Sequence, residues 1–287
     1  MSNISLHIIC ERDVGLFSLV QQVIGNIPFA LYERRVPIAY FGPRCCYWTA
    51  QGYRGRVTVW EYYFEPIIPE WPASTVPKHI RKLIAEKPPL HWDFGYYSDG
   101  AFITNNYGGH RKFKGKSLVV PFEFDDPSDR FRRRAFEIIQ KYVRVRPEIQ
   151  EKAESLYSSK MAGRPNIGVH LRGTDALVEL RRIKLGHQLD FARYFERIDF
   201  FLKAEPDAGI FVASDSESCV KRIREIYGDR VTSADAIRHT GGDLAGKGPT
   251  GSIMPAHLTV AADIAGLSIF SLSSRHPAIY CFLHVLQ

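Results

Sequence analysis

The alternation of apolar and polar positions breaks the chain into two halves of different character. Ser5 to Cys10 reads as a strand, followed by a polar loop with Glu11, Arg12, Asp13 and Gly15 and then a helix-like stretch through Phe17, Val20 and Val23. Strand, polar loop and helix in that order form the first unit of an open α/β sheet. Pro37 to Phe41 reads as a second strand, and Thr58 to Phe64 is a dense aromatic block continuing to Pro66. From Glu65 to Gly115 the sequence is rich in Pro, Trp, Tyr and Gly without a period, so it is expected to be irregular, structured loop. Its aromatics between Tyr96 and Lys116 suit either stacking on sugar rings or packing of a small core.

Ser128 can cap a helix from about Asp129 to Val145, with Phe131, Phe136, Ile139, Tyr142 and Val143 as its apolar positions. Arg130, Arg132, Arg133, Arg134 and Lys141 are interspersed and read as a solvated face. Pro147 can occupy the first turn of a further helix to about Lys160. The second half then alternates cleanly. Ile167 to Leu171 is a strand, and Leu189 to Ala204 a helix with Phe191, Tyr194, Phe195, Ile198, Phe201 and Leu202 at helical spacing. Gly209 to Ala213 is a strand, and a helix with Val220, Ile223, Ile226 and Tyr227 on one face ends at Gly228 before a strand from Arg230 to Thr232. That order predicts parallel βαβ units, with His170, Arg172, Asp215 and Ser216 at the carboxyl ends of strands, where α/β sheets bind ligands.

At 287 residues, of which 45% are hydrophobic, the chain can bury a large core and is expected to form two lobes. The boundaries predicted are residues 1–127 for an N-terminal lobe, 128–163 for bridging helices and 164–287 for a C-terminal lobe. A formal charge of +7 suits an anionic ligand such as a nucleotide sugar, and by itself equally suits nucleic acid or an acidic membrane surface. The five cysteines are odd in number and lack the spacing of a zinc site, so they read as reduced thiols. The N-terminus lacks the pattern of a signal peptide, and no uncharged apolar run reaches the ~18 residues of a membrane span. A soluble, cytoplasmic protein is expected, with peripheral membrane contact through basic residues left open.

The densest chemistry lies in Gly168-Val169-His170-Leu171-Arg172-Gly173-Thr174-Asp175, where an apolar strand runs into His, Arg, Thr and Asp. Gly173 allows a turn there, and a fixed Arg172 guanidinium is suited to clamping a pyrophosphate. Ser214-Asp215-Ser216 ends the next strand, either as a helix cap or as a carboxylate accepting from a base or ribose. Ser271 to Arg275 follows the apolar run Ile264 to Phe270, and its hydroxyls suit a phosphate as well as a simple turn. Gly241 to Lys247 matches the first part of a P-loop, but Gly248 and Pro249 replace the hydroxyl and the helix that such a loop requires. No D-x-D pair follows a strand, so the positive charge for a diphosphate falls to Arg172 rather than magnesium.

The order of these pieces carries a resemblance: G-L-F-S at Gly15 to Ser18, W-E-Y-Y-F-E-P at Trp60 to Pro66, G-V-H-L-R-G-T-D, F-V-A-S-D at Phe211 to Asp215, and the late Ser273-Ser274 pair. Over most of its length the chain resembles the fucosyltransferase superfamily of bacterial nodulation fucosyltransferases, core alpha-1,6-fucosyltransferases and protein O-fucosyltransferases. The resemblance implies a GT-B-like α/β architecture of two Rossmann-like lobes facing a cleft, with GDP-fucose in the C-terminal lobe and a glycan acceptor against the N-terminal lobe. It implies that Arg172 neutralises the donor pyrophosphate, that His170 shapes the nucleotide site, that Asp215 lies near the nucleoside, and that Ser273 and Ser274 lie near the phosphates. Asp175 joins this donor-binding set. Transfer would invert the anomeric centre with no metal and no cofactor beyond the donor substrate, and with no nucleic-acid partner. Glu179 is the candidate general base, its alternative being a surface pair with Arg181 or Arg182. Glu11, Arg12, Asp13 and Gly15 are acceptor-side candidates. Gly173 and Ala176 depart from the basic residues common in relatives, and the chain stops soon after the serines. These departures keep a second reading open, a catalytically impaired nucleotide-sugar or glycan-binding protein of the same fold.

Overall fold

All five residues of strand β1 (Leu6–Cys10) are buried, and its side chains alternate between two apolar layers. Leu6, Ile8 and Cys10 pack with Ile38, Ile80, Ile84 and Ile103 on one face. His7 points to the other, against the rings of Phe29 and Phe102. The computed structural model describes residues 4–12, 14–90, 92–113, 115, 116, 118, 128–171, 191–214, 216–235, 238 and, as backbone, 279–282. The chain divides into two units, Met1–Arg146 and Pro147–Gln287.

In the first unit β1 leads through helix α1 (Leu16–Tyr32) to β2 (Val36–Tyr40), then to the short helix α2 (Val59–Tyr63) and to α3 (Lys78–Glu86). A hairpin of β3 (Tyr96–Ser98) and β4 (Ala101–Thr104) follows. The sheet order is β2-β1-β4-β3, with β1 parallel to β2 and β4, and β3 antiparallel to β4. The aromatic block is core: Trp60, Tyr62, Tyr63 and Phe64 are among the largest fully buried side chains, and the Trp60 indole donates to the Glu65 carbonyl at 2.9 Å. Helix α4 (Asp129–Tyr142) closes the unit, with the Ser128 hydroxyl accepting from the Phe131 amide.

The second unit opens with α5 (Pro147–Lys160) and β5 (Asn166–Leu171) and continues through α6 (Phe191–Ala204), β6 (Gly209–Ser214), α7 (Glu217–Tyr227) and β7 (Val231–Ser233). Its sheet order is β7-β6-β5-β8, all parallel, where β8 is Ile279–Phe282. Ile167, Val169 and Leu171 pack on one face with Ile198 and Phe201 of α6 and Val220 and Ile223 of α7. Phe211 and Ala213 face the other way, onto Ala153, Leu156 and Tyr157 of α5. The expected class, two α/β lobes built on largely parallel sheets, is borne out.

Three expectations are corrected. The stretch from Glu65 to Gly115 is not all loop: it supplies α3 and the β3–β4 hairpin, and β4 is an interior strand of the sheet. The signal was Asp99-Gly100, both at positive φ (46° and 78°), a two-residue turn that joins paired strands. Helix α4 does not bury its apolar positions together, although at 100° per residue they fall within about 140° of its surface. Tyr142 is buried, whereas Phe136 and Ile139 are exposed. Ile226 likewise lies off the buried face of α7, which is made by Cys219, Val220 and Ile223. The strand β8 was not anticipated, and the run Ile264 to Phe270 lies outside the described residues.

Gly25 fixes the seating of α1 on the loop after β4. A Cβ there would stand 2.3 Å from the Tyr107 carbonyl oxygen and 2.6 Å from that of Leu118. Alanine in a helix interior is ordinarily worth about 1 kcal/mol over glycine. Here the clash with two backbone groups reverses the sign, and Gly25→Ala is expected to destabilise the protein by about 1–3 kcal/mol. Urea unfolding checks this, and a gain in stability would contradict the close approach.

Candidate functional site

In each sheet the strand that opens the unit lies between two parallel partners, one following it and one arriving much later in the chain. β1 lies between β2 and β4, and β5 between β6 and β8. The loops leaving the carboxyl ends of such neighbours diverge to opposite faces, which opens a crevice beside the first strand. Both chemistry-bearing loops singled out from the sequence, Glu11 to Gly15 and Arg172 to Asp175, follow these first strands.

In the first unit the structure brings Glu11, Arg12 and Gly15 together at that edge. Glu11 is buried, and its Oε1 accepts from the backbone amide of Arg44 at 3.3 Å and from Arg44 Nε at 3.4 Å. Its Oε2 is also buried and makes no hydrogen bond to a described residue. Burial pushes the Cys10 thiol well up, and the Glu11 charge adds to this, so the thiol stays neutral beside the carboxylate. The Arg12 guanidinium stacks on Tyr107 with 3.5 Å between its carbon and the ring centroid, and its Nε donates to Gln22 Oε1 at 3.0 Å. Burial lowers its pKa to about 10, which still leaves it charged at neutral pH. Gly15 caps α1, whose Leu16 amide donates to the Tyr47 hydroxyl at 3.1 Å. Asp13 lies outside the described residues. Tyr107, Arg44 and Tyr47 were not singled out as site residues from the sequence. They reach this edge from loops after β4 and β2, and only the sheet order reveals that.

A buried polar network holds the loops on either side of this crevice. Asn26 Nδ2 donates to the Gln22 carbonyl at 2.8 Å and to the Asn106 carbonyl at 2.7 Å, while Gln22 Nε2 donates to the Cys10 carbonyl at 2.7 Å. Asn26 Oδ1 is therefore the acceptor for His7 Nε2 at 3.1 Å, which fixes the proton of neutral His7 on Nε2.

In the second unit His170 stands opposite Ala213 and Leu171 opposite Ser214 at the carboxyl ends of β5 and β6. Ser214 Oγ accepts from the Ser216 amide at 3.1 Å, and Ser216 Oγ pairs with Ser218 Oγ at 2.8 Å. Ser216 thus occupies the N-cap of α7 without a side-chain bond to the helix amides, and Asp215, the other residue read as a possible cap, lies outside the described residues. Arg238, not foreseen as part of this edge, reaches the first turn of α7, where its Nη1 meets Glu217 Oε2 at 3.3 Å. Arg172, Asp175, Glu179, Asp215, Ser273 and Ser274 lie outside the described residues, as does the Gly241 to Gly248 loop. Among the described residues no group of three or more His, Cys, Asp or Glu could hold a metal ion, and no helix is long and apolar enough to cross a membrane.

Burial lowers the His7 pKa from 6.5 to about 3, opposed by its bond to Asn26. Between these values the unfolded chain binds the proton and the folded one does not. His7 therefore contributes no penalty above about pH 6.5, and stability is lost as pH falls toward 3, by at most roughly 1.4 kcal/mol per pH unit. Chemical denaturation as a function of pH is expected to show this slope in the wild type and to show it flattened in His7→Gln. An unchanged slope in the variant would contradict a neutral, buried His7.

No family model matches the sequence, and no curated protein matches it. Among solved structures, the chain is similar to NodZ alpha-1,6-fucosyltransferase soaked with GDP-fucose, with a TM-score of 0.47 and 15% identity over 98% of this chain and 89% of that one. A selenomethionine form of fucosyltransferase NodZ from Bradyrhizobium gives 0.46 and 14%, over 94% and 85% of the two chains. POFUT1 in complex with GDP gives 0.48 and 16%, over 91% and 88%. Both kinds of neighbour are similar to this chain along most of their length and of its own.

Proposed function

We propose that the chain is an inverting glycosyltransferase that transfers fucose from GDP-fucose to a glycan acceptor, with the donor on the second unit and the acceptor against the first. The observation supporting this reading is the register of β5, which brings His170 to the carboxyl edge of a sheet whose four described strands are parallel, beside the β5–β8 switch point. Arg172, the next residue in sequence after β5, pairs with the pyrophosphate and stabilises the charge that develops as GDP departs. His170 shapes the nucleotide site, and Asp175, Asp215, Ser273 and Ser274 complete the donor set. The charge balance comes from Arg172 and hydrogen bonds rather than from a metal.

On the acceptor side a carboxylate takes the proton of the attacking hydroxyl. The oxygen of that hydroxyl displaces GDP from the opposite face of the anomeric carbon, and the configuration inverts. Glu179 and Glu11 are the two proposed bases. Glu11 lies at the carboxyl end of β1, where its Oε2 makes no hydrogen bond to a described residue, and Arg12, Asp13 and Gly15 follow it in the same loop on the proposed acceptor side.

Calorimetric titration of GDP, UDP and ADP, with and without magnesium, tests this reading. Guanine-selective binding indifferent to magnesium is expected, weakened about 10- to 100-fold in Arg172→Ala, as for the ~1.5–3 kcal/mol of a charge-assisted bond. Glu11→Gln is expected to keep GDP affinity while fucose transfer falls by about 100-fold. Failure of the wild type to bind any of the three nucleotides would contradict the proposal. GDP binding by the wild type without transfer would instead identify a catalytically impaired binding protein of this fold.

A further inference from the structure

The first unit contains a cavity of about 600 Å³ between the loop after β4 and the start of α4. We infer that it binds a small saccharide bearing a tetrahedral oxyanion, phosphate or sulfate. This goes beyond the nucleotide-sugar reading and does not depend on it, since the described residues that line the cavity all belong to the first unit.

Three guanidinium groups, those of Arg111, Arg130 and Arg134, line the cavity together with His110, and no carboxylate stands among the described residues that line it. Arg130 and Arg134 are one helical turn apart and so share a face of α4, whereas Arg133 does not line the cavity. This placement opposes helix stability. Arg130, in the first turn, meets the positive end of the helix dipole, and the two cations repel one another. A bound oxyanion would reverse the sign of both terms. Bidentate guanidinium pairs match tetrahedral anions in geometry as well as charge.

The opposite wall is prepared for the same ligand. The Lys112 amide donates to His110 Nδ1 at 3.2 Å, which leaves Nε2 of the neutral ring as a donor, and Phe94 packs against that ring. Gly108 and Gly109 permit close approach of backbone to a ligand, and the Gly108 amide is already tied to Asn106 Oδ1 at 2.9 Å, which fixes the loop. Phe131 and the buried Leu118 add apolar surface that a bare ion does not require and a sugar ring does. The volume is in the range of small-molecule sites, roughly 300–1,000 Å³.

Calorimetry at low ionic strength with glucose 6-phosphate, glucose 6-sulfate, inorganic phosphate and glucose tests the inference. Both substituted sugars are expected to bind, inorganic phosphate more weakly, and glucose not at all. The double variant Arg130→Ser/Arg134→Ser is expected to lose at least about tenfold in affinity, while Arg133→Ser, which changes net charge on the same helix, binds as the wild type does. Both variants alter exposed side chains, and circular dichroism checks that they fold. Binding is also expected to persist in Arg172→Ala and with GDP present, which separates this site from the proposed donor site. Absence of binding by the wild type, equal binding of glucose, or an unaffected double variant would overturn the inference. Tighter, steeply salt-dependent binding of single-stranded RNA would overturn it in favour of nucleic acid.

Discussion

Burial of an opening strand between two parallel partners is the constraint on which each unit depends. β1 is buried throughout, with α1 packed on it and α3 sharing its apolar cluster, and Ile167, Val169 and Leu171 of β5 are covered by α6 and α7. With its sides hydrogen-bonded, such a strand holds a buried polar side chain where a partner meets it, as Asn26 meets His7 and the Met161 carbonyl meets Asn166, and its charged groups gather beyond its carboxyl end. That is where Glu11 and Arg12 follow Cys10 and where His170 precedes the Arg-Gly-Thr-Asp run. The polar loops and the sheet topology are therefore two aspects of one arrangement.

The electrostatics of the first unit follow from the same enclosure. Glu11 is buried yet ionic contact reaches it from Arg44, and the half-buried Arg12 is spread over the Tyr107 ring. Buried charges persist only where paired groups and hydrogen bonds offset their desolvation. The neutral network of His7, Asn26, Gln22 and the Asn106 carbonyl holds in place the loops that carry those partners. Stability and chemistry are coupled at this edge, because the side chains that fill the interior also set the positions of the charged ones.

Much of this was legible in the sequence where periodicity and burial agree. Strands β1, β2, β5, β6 and β7 and helices α4 to α7 were each foreseen within a few residues, since their apolar spacing reflects burial on one or two faces. β4 was missed because it is four residues long and embedded among aromatics, although Asp99-Gly100 carried a hairpin signal. The burial of α4 was misread because its apolar positions form a stripe, yet Phe136 and Ile139 on that stripe are exposed. Glu11, Arg12 and Gly15 were recognised as a polar loop after a strand. Their partners Arg44, Tyr47 and Tyr107 were not, because they arrive from distant loops and only strand order brings them near. Arg238 escaped notice for the same reason, lying more than twenty residues from the Glu217 it meets.

Hydrogen–deuterium exchange of the intact chain with and without GDP tests the central claim most directly, that the carboxyl edge beside β5 is the nucleotide site. The account predicts added protection in peptides covering Val169 to Arg172 and Ala213 to Ser216, with Leu6 to Arg12 unchanged. Protection confined to the first unit, or spread evenly over both sheets, would contradict it.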